Sequence, residues 1–560
     1  MQQCKQCQSP FEVTDKDREF YKRISPVFGG KRYLIPEPTL CPDCRRQRRL
    51  SFRNERTLYN RKCDHSGRNI ISIYSPESPH TVYASELWWS DQWDSLEYGM
   101  EFDFSRPFFE QFHELQLKVP RLSHNVVANE NCDYVNHCGY SKNCYLCYNT
   151  DFSEGCYYCS SALRCKDSID LLDCENCELC YDSINIKDCY SVFSSENCKN
   201  CDHVFFSREL IGCSDCFGCI NLRKRKYCFF NVQCGKDEYF EKLQQVQSGS
   251  YAQRQKNRKE VSGFFINHPR KYAEITQCEN STGDYLSNCK NTQNCYDSYK
   301  NQDIAYCTVT STCKDTYDFD MGGYDCELCY EVVSSGDKNA RNFFCANQWG
   351  NDENILYSDI MMNCSDCFGC IGLRHKEHCI LNRRYSKKDY EMLLPKIIEH
   401  MKRTGEWGEF FPSAISPFGY NETVAMQYFP ITRNEAPEKG FRWSDYEAPK
   451  ANASKTIPAS RLPDNIKDIP DDITNWAINC EKSGRPFKII AQELKFYHTH
   501  NLPIPHLHPN ERYKNRMEMK NPRKLFDRTC ANCSAKIQTT YSPDRPEKVY
   551  CEQCYLKEVY

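Results

Sequence analysis

The chain has 560 residues, too many for a single hydrophobic core, so several domains are expected. Its formal net charge of −3 gives no overall case for nucleic acid or a membrane surface as a partner. The 40% hydrophobic fraction includes 40 cysteines; without them it falls to about 33%, low for a globular protein, so the core must lean on sulfur as thiol, disulfide or metal ligand.

In chain order, Met1 to Phe20 is polar and lacks the apolar stretch of a signal peptide. No apolar run of about 18 residues occurs, so no membrane span is expected. Both point to a cytoplasmic, reducing location, where clustered cysteines are more often metal ligands than disulfides. Cys4-x-x-Cys7 and Cys41-x-x-Cys44 follow, two knuckles of the spacing that gives Zn2+ a closed four-sulfur site. Phe11, Phe20 and Tyr21 in the spacer can pack a small core. The second knuckle runs into a helix bearing Arg45, Arg46, Arg48, Arg49 and Arg53, a basic face suited to phosphate contacts. On Cys4, Cys7, Phe11, Phe20, Tyr21, Pro38, Cys41, Cys44 and Arg45 this stretch resembles the zinc-ribbon, treble-clef domains of uncharacterised bacterial proteins.

Trp88, Trp89 and Trp93 form an aromatic patch. A helix is expected from Ser105 as N-cap, with Pro107 in the first turn and Phe108, Phe109, Phe112 and Leu115 inward. It is read as a lid on the open end of the segment that follows.

From Cys132 to Cys234 there are eighteen cysteines, each at a residue number divisible by three. Period three is neither helix nor flat strand. A tightly coiled β-solenoid of short strands and corners can turn every third side chain inward. The serines at 141, 153, 168, 183, 195 and 207 suggest coils of 12 to 15 residues. Period and inward composition resemble the twelve-residue β-helix of beetle antifreeze proteins; the threonine ice-binding face is absent, so that function is not implied. Tyr145, Tyr148, Tyr157, Tyr158, Tyr181 and Tyr190 are expected to face outward, where they can stack on unpaired bases. The segment closes with Cys213, Cys216, Cys219 and Cys228.

After a charged helical linker, a second such segment ends with the same words: Cys364, Cys367, Cys370 and Cys379 stand 151 residues after their counterparts, as Asn382 does after Asn231 and Tyr390 after Tyr239. Its triplet frame slips before Cys326 and again before Cys345. The closing clusters are candidates for further metal, for an iron–sulfur cluster, or for ladder packing or disulfides. A helix near 386–402 and a Pro-rich connector follow, the latter with a capping box at Thr432 and Glu435 ended by Gly440.

Cys530-x-x-Cys533 and Cys551-x-x-Cys554 form a second zinc quartet with an ordinary ribbon spacer. The two ends of the chain are copies. Shifted by 467 positions, Arg45 meets Arg512, Arg49 meets Arg516 and Cys63 meets Cys530. Each copy keeps one of two ancestral sites. Cys63 alone remains of one lost site, and Cys480 beside Ser483, His508 and Glu511 of the other. These features, with the closing words and the Asn421–Ala425 segment, resemble long cysteine-rich proteins of environmental bacteria with zinc-ribbon ends and cysteine-rich repeats between; the resemblance implies the architecture and no activity.

The expected fold is mainly β and multidomain: a zinc-ribbon domain with an aromatic, helical cap (1–122), a first cysteine-lined solenoid (123–235), a helical linker (236–283), a second solenoid (284–385), a helix and connector (386–475) and a C-terminal zinc ribbon (476–560). No HExxH, GxSxG or phosphate-loop motif occurs, so no enzyme is expected. The expected function is zinc-dependent binding of RNA, other single strands or a ribonucleoprotein through the basic helices. A redox or metal-handling role for the cysteine ladders, or a scaffold for a protein partner, is the alternative.

Overall fold

The computed structural model describes residues 1–323, 326, 330–333, 350, 352–447 and 453–560. The chain is mainly sheet and falls into two compact units interleaved in sequence. The first joins Met1–His124, Ala273–Tyr446 and Arg523–Leu525; the second joins Asn125–Tyr272, Glu447–Pro522 and Phe526–Tyr560. Each unit therefore combines one terminal module with the cysteine ladder that is not its nearer neighbour along the chain.

In the second unit, residues 126–229 form a parallel ladder in which each residue pairs with the one twelve further on, as in Cys177↔Cys189, Val192↔Val204 and Cys216↔Cys228. The triplet is its repeating unit. In Tyr145–Leu146–Cys147, Tyr145 bridges to Tyr157, Leu146 takes the left-handed conformation (φ 51°), and Cys147 turns inward. Left-handed residues recur every third position, as at Asn143, Asn149, Asn176, Asp182, Asn185 and Asn197. Asparagine and aspartate accept this region most readily among residues with a Cβ, which explains their frequency beside the cysteines. Each such residue donates its N–H back to the preceding coil, Leu146 to Asp133 O at 3.1 Å and Asn197 to Ile184 O at 3.1 Å.

The inward side chains are donors as well as fillers. Cys147 Sγ lies 3.5 Å from Tyr145 O and 3.2 Å from Cys156 O; Ser141 Oγ does the same to Gly139 O at 3.2 Å and Thr150 O at 3.1 Å. Thiol and hydroxyl are thus alternative occupants of one inner position. The serine at 153 accepts the N–H of Cys165, so the register is twelve residues here too and the fifteen-residue serine spacing is not the repeat of the ladder.

The ladder ends in a small device. Asn231 accepts the N–H of Ile220 (2.8 Å) and donates to its carbonyl (3.0 Å), one side chain standing in for the backbone of a next strand. Asn382 does the same to Ile371 at 2.8 and 2.8 Å in the first unit. A helix then covers each end, Lys236–Val246 with buried Tyr239 and Lys387–Thr404 with buried Tyr390.

After an opening step of eleven residues, Ile275↔Leu286, the first unit's ladder has the same twelve-residue register up to Asp320, with Tyr296↔Thr308 and Thr308↔Asp320. The slip expected before Cys326 is a single extra residue: Tyr317 bridges to Tyr330, thirteen on. The slip before Cys345 lies outside the described residues. Phe108–Lys118 is helical, but Ser105 does not cap it; Glu406 accepts the N–H groups of Phe108 (2.9 Å) and Phe109 (2.7 Å) instead. Its rings pack on Tyr357 and Phe368 of the second ladder rather than serving as the expected lid for the first.

Candidate metal centres and their anchoring helices

The Gln2–Gln3 and Pro10–Phe11 strands pair across the first knuckle, and the second knuckle opens the Pro42–Leu50 helix with Cys41 as its N-cap. All ligand atoms of Cys4, Cys7, Cys41 and Cys44 lie within 4.8 Å of one another. Cys7 and Cys41 sulfurs are 3.7 Å apart, and Cys41 donates its N–H to Cys4 Sγ at 3.3 Å. The neighbouring Cys44 thiol holds the Cys41 thiol down to about 5, so a thiolate is present for a cation.

Cys530, Cys533, Cys551 and Cys554 repeat this geometry. Cys533 and Cys551 sulfurs stand 3.7 Å apart, and Cys551 donates its N–H to Cys530 Sγ at 3.2 Å. Burial works against the Cys530 thiolate, yet backbone N–H groups of Cys533 and Cys551 bring its thiol down to about 6. Four sulfurs, two from each knuckle and partly ionised, fit a tetrahedral ion such as zinc, which would tie the start of each helix to the hairpin before it.

Among the described residues only these two groups meet that closeness. Cys480, Ser483, His508 and Glu511 do not; His508 Nδ1 accepts the N–H of Asn510, and Glu511 pairs with Lys514. At Cys63 the knuckle outlives its ligands, because Ala84 donates its N–H to Cys63 Sγ at 3.2 Å as the ligand cysteines do elsewhere. Cys213, Cys216, Cys219 and Cys228, and likewise Cys364, Cys367, Cys370 and Cys379, were candidates for further metal; they are inward ladder residues that do not close into such a group. Their sulfurs face backbone carbonyls, Cys216 that of Ser214 at 3.3 Å and Cys367 that of Ser365 at 3.3 Å.

The arginines expected to meet nucleic acid are turned the other way. Arg45, Arg46, Arg48, Arg49 and Arg53 are all buried. Arg45 and Arg49 share Asp318, and Arg49 also holds Asp320 at 2.9 Å. Arg46 reaches Asp320, Arg48 pairs with Glu331 and Glu409, and Arg53 with Glu55. A guanidinium buried in this way is not exposed to phosphate, so these five residues do not form a nucleic-acid face.

The C-terminal copy makes the same clamp. Arg512 and Arg516 share Asp170 at 2.7 and 2.8 Å. The ring twelve residues before each aspartate lies under the first arginine: Tyr306 is 5.5 Å from the Arg45 guanidinium, and Tyr158 is 4.5 Å from that of Arg512. Both aspartates occupy left-handed corners, Asp170 at φ 59° and Asp318 at φ 57°. The acids of the clamp had no local signal, since each lies hundreds of residues from its arginines. The repeated Tyr/Asp pair at matched spacing was the signal available.

Several tyrosines expected to be free for stacking are also covered. Tyr148, Tyr158 and Tyr181 are buried, and Tyr145 and Tyr157 pack on a core that includes Ile489 and Tyr497 of the C-terminal module. Tyr190 is 43% exposed.

No family model matches the chain, and no curated protein does. A solved structure from Desulfovibrio desulfuricans, described only provisionally as an acetyltransferase, aligns over 47% of this chain and 71% of its own at 7% identity and a TM-score of 0.10. Among the described residues no helix is long and apolar enough to cross a membrane.

Proposed function

We propose that the chain is a non-enzymatic zinc-binding scaffold. The N-terminal centre opens the basic helix Pro42–Leu50, which clamps its module onto a ladder that we read as a cysteine-lined β-solenoid; in the C-terminal module the clamping helix, Pro509–Met519, precedes the centre, which opens the helix Glu552–Val559. The outer rows of the solenoids are then left as the surface for a macromolecular partner. The observation that carries this reading is the pair of quartets, each with all four ligand atoms within 4.8 Å and each in a terminal module that an arginine pair clamps onto a ladder. The test is elemental analysis of protein purified without added metal: about two zinc ions per chain are expected for two four-sulfur structural sites, with loss of one in Cys44→Ser and of the other in Cys554→Ser. Zinc well below that level ends the reading.

Single-stranded nucleic acid is a second reading, carried now by different residues. Tyr140 and Phe152 are exposed, with rings 5.1 Å apart and nearly parallel, and Arg164 continues the row 5.7 Å from the Phe152 ring. Binding of labelled single-stranded RNA at low and moderate salt, wild type beside Phe152→Ala/Arg164→Glu, separates the two. Binding lost in the variant supports the nucleic-acid reading; no binding by wild type leaves the scaffold with a protein partner.

A further inference from the structure

The first coils of the second unit's ladder hold one arrangement that the coil geometry does not require. Cysteines occupy two adjacent inner columns in two successive coils, so that Cys144 and Cys147 lie one coil below Cys156 and Cys159. The parallel bridges Tyr145↔Tyr157 and Tyr148↔Ser160 hold the two rungs in this register, so each of the four cysteines has one neighbour along its own rung and one on the next, which closes a ring. Elsewhere in this ladder at least one corner of the equivalent rectangle is a residue other than cysteine. All four thiols are buried, but the ring abuts Cys132, whose Sγ accepts the N–H of Cys144 at 3.4 Å and which is half-buried, next to exposed Asn131 in sequence. The thiols thus run inward from half-buried Cys132.

The geometry points to a soft-metal site: we propose that Cys144, Cys147, Cys156 and Cys159 bind a monovalent d10 cation of the copper(I) or silver(I) class, entering past Cys132. The chemistry follows from spacing. The four sulfurs are not all within 4.8 Å of one another, unlike those of the terminal quartets, so the ring does not suit tetrahedral zinc. Sulfurs on adjacent coils are separated by about the ~4.8 Å of neighbouring strands, a span that one small ion can bridge in two-coordinate fashion, and thiolate ligands select such soft ions. Binding by a pair of thiols forms two metal–sulfur bonds and releases two protons to solvent, with no change of oxidation state. The thiols then exchange their weak contacts with backbone carbonyls, such as Cys144 Sγ with Lys142 O at 3.4 Å, for the metal.

The test uses the full chain with its zinc in place and copper(I) supplied from a competing chelator under exclusion of oxygen. Wild type is expected to take copper(I) that Cys144→Ser/Cys159→Ser loses, while Cys189→Ser/Cys201→Ser, in another part of the same ladder, keeps it. Serine already fills inner positions at 141 and 153, so both variants conserve the coil. Equal copper uptake by wild type and the ring variant, or equal loss in the control, overturns the proposal. X-ray absorption on wild type alone provides a readout that no variant's folding can affect: a first shell of sulfur is expected, and one of nitrogen or oxygen refutes the site. Zinc measured on the same samples keeps this outcome separate from that of the structural quartets.

Discussion

Arg49 and Asp318 face each other with neither side chain exposed, Nη1 3.2 Å from Oδ1, across 269 positions of sequence. Burial disfavours the charge on Arg49, but Asp320 and Asp318 beside it more than offset this and hold its affinity for the proton above the ordinary arginine value. A buried pair of this kind is costly to break, because the partner left behind is an uncompensated charge.

Arg49→Met is therefore expected to destabilise the first unit by about 3–5 kcal/mol, and Arg516→Met the second unit by a similar amount. Replacing Arg49 together with Asp318 and Asp320 by apolar residues of similar size should cost much less than Arg49→Met alone. Urea denaturation followed with a probe in each unit checks both statements. If Arg49→Met unfolds at the same midpoint as wild type, the clamp contributes nothing to holding module and ladder together.

Cys177 tests the interchange of thiol and hydroxyl. Its sulfur faces Glu175 O at 3.2 Å and Ile186 O at 3.4 Å, the same pair of contacts that the inner serines make. Cys177→Ser keeps the donor and should cost less than about 1.5 kcal/mol, whereas Cys177→Leu must force the coil apart and cost about 1–3 kcal/mol or more. Thermal unfolding of the two variants orders them; a leucine variant as stable as the serine one contradicts a closely packed interior.

Asp352 occupies an inner column of the second ladder, accepting the N–H of Cys364 at 2.8 Å. Burial lifts its carboxyl from an ordinary 3.8 to about 7. The folded state thus binds this proton more tightly than the unfolded chain. The stabilising contribution is full below about pH 4, declines as pH rises towards 7, and is absent above it, a change of roughly 4 kcal/mol at most. Asn301 already fills an inner position and accepts the N–H of Cys313 at the same 2.8 Å. Asp352→Asn should therefore be more stable than wild type at pH 8 and remove that part of the pH dependence, as measured by denaturation at pH 5 and pH 8. A variant less stable than wild type at pH 8 refutes the assignment.

Asn382 closes the second ladder with bonds to both backbone groups of Ile371 and donates to Ser95 O at 3.0 Å. Asn382→Leu leaves those buried groups unpaired, at a cost of about 2–4 kcal/mol. Amide exchange at Ile371 should rise with it. Protection at Ile371 unchanged from wild type would falsify the capping role.

The parts of this architecture legible in the sequence were those set by local spacing. Two residues between cysteines place Cys4 with Cys7 and Cys551 with Cys554, and the triplet frame turns Cys147 and Cys159 inward, because both depend on a few consecutive dihedral angles. The copying of Arg45 and Arg49 as Arg512 and Arg516 was also visible. What the copies do was not. A run of arginines after a zinc knuckle has the same composition whether it faces phosphate or buried carboxylate, and Asp318 and Asp170 announce nothing about which helix they receive. Nor does anything near Cys44 specify that its helix meets the later ladder rather than the nearer one. The Asn and Asp residues beside the cysteines did carry a readable signal: their tolerance of positive φ marks the corners at Asn143, Asn176 and Asp182.

The uniform register has a bearing on how such a protein can change over generations. Because the rungs of the second unit's ladder are bonded to those twelve residues away, as Cys177 is to Cys189, removing or duplicating twelve residues returns every remaining side chain to its former face. The ladder can therefore lengthen or shorten in whole coils without a new core being invented, in the manner of other quasi-one-dimensional folds. Changes of any other size must be absorbed locally. The thirteen-residue step from Tyr317 to Tyr330 is one such scar, and Gly323, at φ 92°, sits within it where a Cβ would meet Cys313 Sγ at 2.3 Å. Insertions in related chains should fall at multiples of the coil or beside a glycine of this kind.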